Sequence, residues 1–227
     1  ENMLELRQNT NCILLTKKTM KGKKTAYCFF KRCLDLLLSL FAMPAYLIIY
    51  ALVAAAVKFT DGGPVLYKSV RIGKDGKPFY MYKFRTMRMS ADKLEDFLSY
   101  EELEKYKKEY KLENDPRVTG IGKILRKTSA DELPQILNVI KNDMSLIGPR
   151  PVLYEETLLY GKDRETLLSV KPGLTGYWQA YARNDVGYTD GRRQAMELYY
   201  IENRSLKFDT RIFFATIRRV LSGKGVF

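Results

Sequence analysis

From Cys33 to Val57 the chain is apolar except for Asp35 and Ser39. At 1.5 Å of rise per residue, a helix of this length reaches across the hydrocarbon core of a bilayer. No small-residue cleavage site follows it, and the run is too long for the apolar part of a secretory signal. Pro44 sits mid-segment, where it removes one helix hydrogen bond and clashes with the preceding turn, so a kink is expected there. Both flanks are basic, with Lys31 and Arg32 before the run and Lys58, Lys68 and Arg71 after it. Positive residues favour the cytoplasm, so the spacing predicts a helix that dips into the membrane and returns. A proline-kinked helix that crosses the bilayer is the alternative.

The charge agrees with a membrane address. Lys17, Lys18, Lys21, Lys23, Lys24, Lys31 and Arg32 cluster just before the apolar run, as in segments drawn to anionic lipid head groups. The formal net charge of +13 calls for an anionic partner: nucleic acid, acidic lipid or a phosphorylated substrate. No nucleic-acid reader motif is present, and the neighbouring apolar run favours lipid. The chain has no histidine, which removes the usual neutral-pH base and the commonest zinc ligand. Chemistry therefore falls to carboxylates, Lys, Tyr, Ser or Cys. Cys12, Cys28 and Cys33 have no metal-ligand spacing, and their odd number suits a reducing compartment.

The candidate chemical centre is Ser129-Ala130-Asp131-Glu132-Leu133-Pro134, followed by Gly148-Pro149-Arg150-Pro151. Proline fits best at the first helical position, which leaves Asp131 and Glu132 in the loop before a helix through Ile136, Leu137, Val139 and Ile140. Ser129 with Glu132 three residues on also satisfies a capping box, the structural alternative for Glu132. As chemistry, the pair reads as a carboxylate, Asp131, that attacks a phosphate, with Mg²⁺ held by Glu132 and substrate oxygens to offset the like-charge repulsion. Arg126 and Arg150 are placed to gather phosphate, and the two prolines stiffen the segment that carries Arg150.

Upstream, Val65–Ile72 and Phe79–Tyr82 around Gly73–Pro78 read as a hairpin. Lys83 and Arg85, two apart, share one side of the extended run; they suit a diphosphate or are solvated edge charges. Residues 90–113 read as one or two amphipathic helices, Val152–Leu168 as a helix, and Phe208–Leu221 as a helix packed on the body or lying in the interface. Trp178 stacks a base, anchors at the interface, or packs in the core.

Taken in order, Lys83-Phe84-Arg85-Thr86-Met87, Asp115-Pro116-Arg117-Val118-Thr119, Leu125–Ser129, Asp131–Gln135, Asn138-Val139, Asp143–Leu146, Gly148–Pro151 and Lys171–Gly176 resemble the bacterial sugar transferase family. These are monotopic polyprenyl-phosphate phosphoglycosyl transferases, and the resemblance covers residues 28 to 227. It implies transfer of a sugar 1-phosphate from a UDP-sugar to undecaprenyl phosphate with release of UMP, at the cytoplasmic face of the bacterial inner membrane. It maps the nucleophile to Asp131, which would form a covalent phosphosugar intermediate, and the metal-binding acid to Glu132. It maps substrate-binding cations to Arg85, Arg126, Arg150 and Arg183, beside Lys83. It also implies a re-entrant helix broken at a Ser-Pro pair. Met43 stands here where that serine is frequent, Ala130 replaces a common Leu, and Asn142 a common Gly.

The expected fold is α+β and mostly α: a re-entrant membrane helix and interfacial amphipathic helices around a small β-hairpin and a compact catalytic core. The expected division is a basic segment over residues 1–32, the membrane helix over residues 33–58 and a catalytic domain over residues 59–227. Expected partners are the UDP-sugar, undecaprenyl phosphate, anionic lipids and downstream glycosyltransferases, with no nucleic acid. The rival function is a non-catalytic, membrane-anchored scaffold of a polysaccharide assembly complex.

Overall fold

A computed structural model of the protein describes residues 25–91, 93–109, 112, 115–182 and 191–222. Most of the basic N-terminal segment and Arg183 lie outside these residues. The apolar run lies within one α-helix, α1 (Thr25–Asp61), which continues through Pro44 as a single element. It is the one described helix long and apolar enough to cross a membrane. Its faces differ sharply. Asp35, Ser39, Tyr46, Val53 and Val57 are buried, whereas Phe30, Leu37, Phe41, Ile48 and Leu52 are exposed. The buried positions recur at three- and four-residue multiples, so they form one stripe, and that stripe packs on the body of the protein.

The two halves of the stripe use different forces. In the first half the contacts are polar. Asp35 accepts from Ser145 Oγ at 2.7 Å and from Leu146 N at 3.1 Å, and Arg32 donates to the carbonyls of Val139 and Ile140 at 2.6 and 3.1 Å. In the second half, Tyr46, Val53 and Val57 join Phe84, Leu125 and Ile136 in an apolar cluster, with Tyr50 and Phe84 ring to ring at 5.7 Å. Each such side chain contributes roughly 1.5–3 kcal/mol when fully removed from water.

The expected hairpin is present. β1 (Leu66–Ile72) pairs antiparallel with β2 (Pro78–Phe84) from Leu66↔Phe84 to Ile72↔Pro78, around a turn in which Asp75 has φ 59°. Along β2, Phe79, Met81 and Lys83 share a face by the two-residue period. Phe79 and Met81 pack on Val139 and Met144, so this face points at the chain that follows Asp131 and Glu132. The edge of β2 away from β1 meets a side chain: buried Asn138 accepts from Tyr82 N at 3.0 Å and donates to Tyr80 O at 2.7 Å. One amide thus substitutes for a strand and fixes the distance between β2 and the helix that carries Asn138.

After α2 (Tyr100–Glu109) come α3 (Gly120–Thr128), a 3-10 segment (Ala130–Gln135) and α4 (Ile136–Ile140). Pro134 lies inside the 3-10 segment instead of opening a helix, so Asp131 and Glu132 belong to a regular turn and not to a loop. Ser129 ends α3 in the left-handed region, φ 56°, and its side chain makes no cap bond to the segment that follows. The capping-box geometry is therefore not formed.

A second sheet was not anticipated: β3 (Ser145–Ile147) runs parallel to β4 (Gly173–Thr175). Their approach is very close. A Cβ on Gly173 would lie 2.1 Å from Gly148 N, and one on Gly176 would lie 2.0 Å from Gly148 O. Only glycine fits this joint, which clamps the Arg150 segment to the turn after Lys171. The single helix expected over Val152–Leu168 is instead two, α5 (Tyr154–Leu158) and α6 (Arg164–Leu168), parted by Gly161 at φ 50°. The chain closes with α7 (Tyr177–Ala182), α8 (Arg192–Asn203) and α9 (Leu206–Leu221). Ile147, Val152, Tyr160, Leu167, Tyr200 and Ile212 form the core beneath them. The architecture is mostly helical with a small hairpin, as the sequence indicates.

Candidate active site

The carboxylates of the 3-10 segment sit over β2. Lys83 Nζ lies 3.0 Å from Glu132 Oε1 and 3.7 Å from Asp131 Oδ2. The side chains of Asp131 and Glu132 are 14 % and 17 % exposed, open enough for a ligand and sheltered enough that their ion pairs are weakly screened by salt. The placement follows from the alternation in β2, which turns Lys83 inward, and from the clamp of Asn138 on the same strand.

Arg126 adds a second cation from the last turn of α3. Its Nε donates to Thr86 Oγ1 at 3.1 Å, and Thr86 O in turn accepts from Thr119 N at 3.0 Å, at the N-cap of the same helix. Burial pushes the Arg126 pKa down, and the negative charges of Asp131 and Asp115 offset only part of that lowering. A guanidinium remains charged under this opposition, so Arg126 supplies fixed positive potential at Asp131. The Asp115-Pro116-Arg117 stretch is scaffolding: Arg117 holds Asp115 through two bonds of 2.8 and 2.6 Å and lies 4.6 Å from the Tyr106 ring centre. Burial alone would raise the Asp115 pKa, but the Arg117 bonds and charge together bring it below its ordinary value.

Arg85 is buried and follows β2 directly; a Cβ on Gly63 would lie 2.4 Å from its Nη1, so this guanidinium rests against the Gly62-Gly63 turn. Arg150 is held by a different group. Its backbone N donates to Glu197 Oε1 at 3.1 Å, and its guanidinium is 5.8 Å from the Trp178 ring centre, with Arg193 4.5 Å from the same centre. The structure thus brings Lys83, Asp131 and Glu132 into contact, sets Arg126 in their field, and gives Arg85 and Arg150 separate supports. Arg183 lies outside the described residues.

Glu197 and Arg193 escaped the sequence reading, although an Arg–Glu pair four apart on a helix is a legible signal of a shared face. Glu197 is deeply buried, and burial pushes its carboxyl pKa up to about 7, against the pull of Arg193 and Arg150. Because the folded pKa is raised, the protein holds a proton here that the unfolded chain has lost. The associated stability is complete below the ordinary carboxylate pKa and disappears as pH rises through about 7. At about 1.4 kcal/mol per pKa unit this amounts to about 3 kcal/mol, or roughly 6–12 °C in Tm for a chain of this size. Glu197→Gln is expected to flatten that decline between about pH 4.5 and 7.5, and with no histidine few other groups titrate in the upper part of this window. Melting curves of both proteins across the window provide the check; a Tm difference independent of pH refutes the assignment.

The bacterial sugar transferase family model matches residues 26–223. The chain belongs to the bacterial sugar transferase family. It is 44 % identical over 201 residues to the exopolysaccharide production protein ExoY of Sinorhizobium fredii, a match covering 86 % of this chain and 87 % of that protein. It is also 44 % identical over 170 residues to the undecaprenyl-phosphate galactose phosphotransferase of Salmonella typhimurium, covering 74 % of this chain and 35 % of that longer protein. A third relative, 36 % identical over 206 residues, is the UDP-N-acetylgalactosamine-undecaprenyl-phosphate N-acetylgalactosaminephosphotransferase of Aeromonas hydrophila, with 88 % of this chain and 45 % of the relative covered.

Proposed function

We propose that the protein moves a sugar 1-phosphate from a UDP-sugar to undecaprenyl phosphate, releasing UMP and initiating polysaccharide or glycoconjugate assembly. The observation that carries this reading is the pair of half-sheltered carboxylates bridged by Lys83, with Arg126 behind them. The names of the Salmonella and Aeromonas relatives support the substrates. In the first step a carboxylate oxygen of Asp131 attacks the sugar-linked phosphorus, and the bond to UMP breaks with its electron pair leaving on UMP. In the second, a phosphate oxygen of the lipid attacks the same phosphorus and frees the carboxylate. Lys83 and Arg126 place positive charge beside Asp131 and keep it in position, and Arg85 and Arg150 serve as clamps for the diphosphate.

The donor set fits Mg²⁺. This ion is held through one or two carboxylates together with substrate phosphates and water, and Asp131 and Glu132 offer adjacent carboxylates at a site that already attracts a cation. Glu132 would be its protein ligand, and a bound ion would there offset the repulsion between carboxylate and diphosphate.

Membrane attachment follows from α1. Residues on both sides of Pro44 contact the same body, Asp35 at β3 and Val57 beside Phe84, which favours a helix whose two ends share one side of the bilayer. Its opposite face, with Phe41 86 % exposed, enters the lipid. We therefore place the enzyme on the cytoplasmic face of the bacterial inner membrane as a monotopic, re-entrant protein. Its basic flanks meet anionic lipids, and its lipid-linked product is passed to downstream glycosyltransferases.

The covalent route makes a specific demand. With UDP-sugar and Mg²⁺ but no lipid, labelled UMP is expected to exchange into UDP-sugar, and chelation of the metal is expected to stop the exchange. Exchange that appears only when undecaprenyl phosphate is added rejects the intermediate.

A further inference from the structure

Beside Glu132 a cavity of about 220 Å³ lies between the 3-10 segment, the ends of β3 and β4, and the inner side of α9. Its walls are mainly apolar, Leu133, Leu146, Leu174, Phe213, Ile217 and Val220, with Ser129 and Gln179 as polar members and Glu132 at the catalytic end. Thr175 and Thr216, also in the wall, bond to each other at 2.9 Å and so place no demand on an occupant. A sugar or nucleotide here would exchange hydrogen bonds with water for contact with leucines, at roughly 1–3 kcal/mol for each unpaired group. A hydrocarbon gains about 0.8 kcal/mol for each buried methylene. Since a dry cavity of about 150 Å³ accepts benzene, 220 Å³ suits about two branched five-carbon units.

The cavity also has a way out to lipid. Ile217 and Val220 line it, yet they are 41 % and 48 % exposed, and they continue a surface stripe of α9 with Phe214, itself 63 % exposed. Arg211 and Arg218 punctuate this helix, giving it the composition of one that lies in a membrane interface. Arg219 stands in the same wall and donates to Ala180 O at 3.3 Å, bringing positive charge to the rim.

We propose that this cavity seats the phosphate-proximal isoprene units of the polyprenyl acceptor, which enter from the bilayer between Ile217 and Val220, with the phosphate at the Glu132 end. The inference rests on the transfer reaction proposed above and gives its second substrate a seat on α9, apart from the apolar face of α1. It accounts for an apolar chamber directly beside an acid of the reaction, where a soluble acceptor would need polar walls.

Leu174→Phe and Ile217→Phe fill the cavity, and the exposed Ile217 tolerates the added bulk. Each variant is expected to raise the KM for the lipid acceptor at least tenfold, while lipid-free exchange of UMP into UDP-sugar continues at the wild-type rate. Binding is read separately by titrating farnesyl phosphate against the fluorescence of Trp178, the only tryptophan of the chain, whose neighbour Gln179 lines the cavity. Affinity is expected to fall at least tenfold in both variants and to be unaffected by UDP. An acceptor KM and farnesyl phosphate affinity unchanged in both variants overturn the proposal, as does displacement of farnesyl phosphate by dodecyl phosphate at equal concentration. If wild-type protein shows no UMP exchange, the covalent reaction fails, and the farnesyl phosphate titration still decides the cavity.

Discussion

Asp131→Asn is expected to abolish both UMP release and the trapping of labelled sugar phosphate on the protein, a loss of roughly 10⁴-fold or more on the scale of nucleophile deletions. The substitution changes charge and nucleophilicity but little else. Asparagine has the shape of aspartate, and the shorter of the two Lys83 contacts, 3.0 Å, goes to Glu132 and survives. The 3-10 turn is set by its backbone and by Pro134, neither of which is touched. Folding should therefore persist, which separates this outcome from collapse of the site, and an unchanged Tm is part of the expected result. If Asp131 acted instead as a base for direct attack by the lipid phosphate, no labelled protein would form in the wild type either, and lipid-free exchange would be absent. Retention of both trapping and UMP release in the variant removes Asp131 from the chemistry altogether.

The candidate acids stand out in the sequence because two adjacent carboxylates before a proline, in a basic chain without histidine, suggest either phosphate chemistry or a helix cap, and the cap bond from Ser129 is not formed. Their partner was half legible. The alternation of Phe79, Met81 and Lys83 gives the face of Lys83, but contact with residues 131 and 132 depends on Asn138 seizing the edge of β2, which no local pattern announces. β3 and β4 are three residues each, too short to show any period, and they were missed for that reason. Gly161 is the signal that a single helix over Val152–Leu168 passes over: its positive φ, suited to a residue without a side chain, parts α5 from α6. The polar interruptions of the apolar run are informative in another way: Asp35 and Ser39 lie on the face of α1 that docks onto the protein, not on its exposed apolar face. A lone acid in such a run has to find partners, and here they are the Ser145 hydroxyl and the Leu146 amide.

A second acid fastens the start of α1 to α9, and its removal carries the largest expected cost in stability. Asp209, 4 % exposed in the first turn of α9, accepts from Tyr27 Oη, Lys31 Nζ and Tyr200 Oη, each at 2.8 Å. Tyr200 Oη also lies 3.2 Å from Ile147 O, so the same knot reaches β3. Asp209→Ala leaves the Lys31 ammonium, 15 % exposed, without its carboxylate and withdraws the acceptor of two hydroxyls. Breaking a buried pair from one side costs about 3–5 kcal/mol, because the surviving charge stays desolvated. For a chain of this length that corresponds to a Tm lower by roughly 6–20 °C. Adding Lys31→Met is expected to recover part of the loss, since an apolar side chain in that space no longer demands a counter-charge. A Tm within about 3 °C of wild type in the single variant, or no recovery in the double, shows that the knot does not hold the helices together. The same variant tests the acceptor proposal, because α9 also walls the cavity proposed for the isoprene units: as Asp209→Ala loosens the root of that helix, use of the lipid is expected to deteriorate before exchange of UMP does.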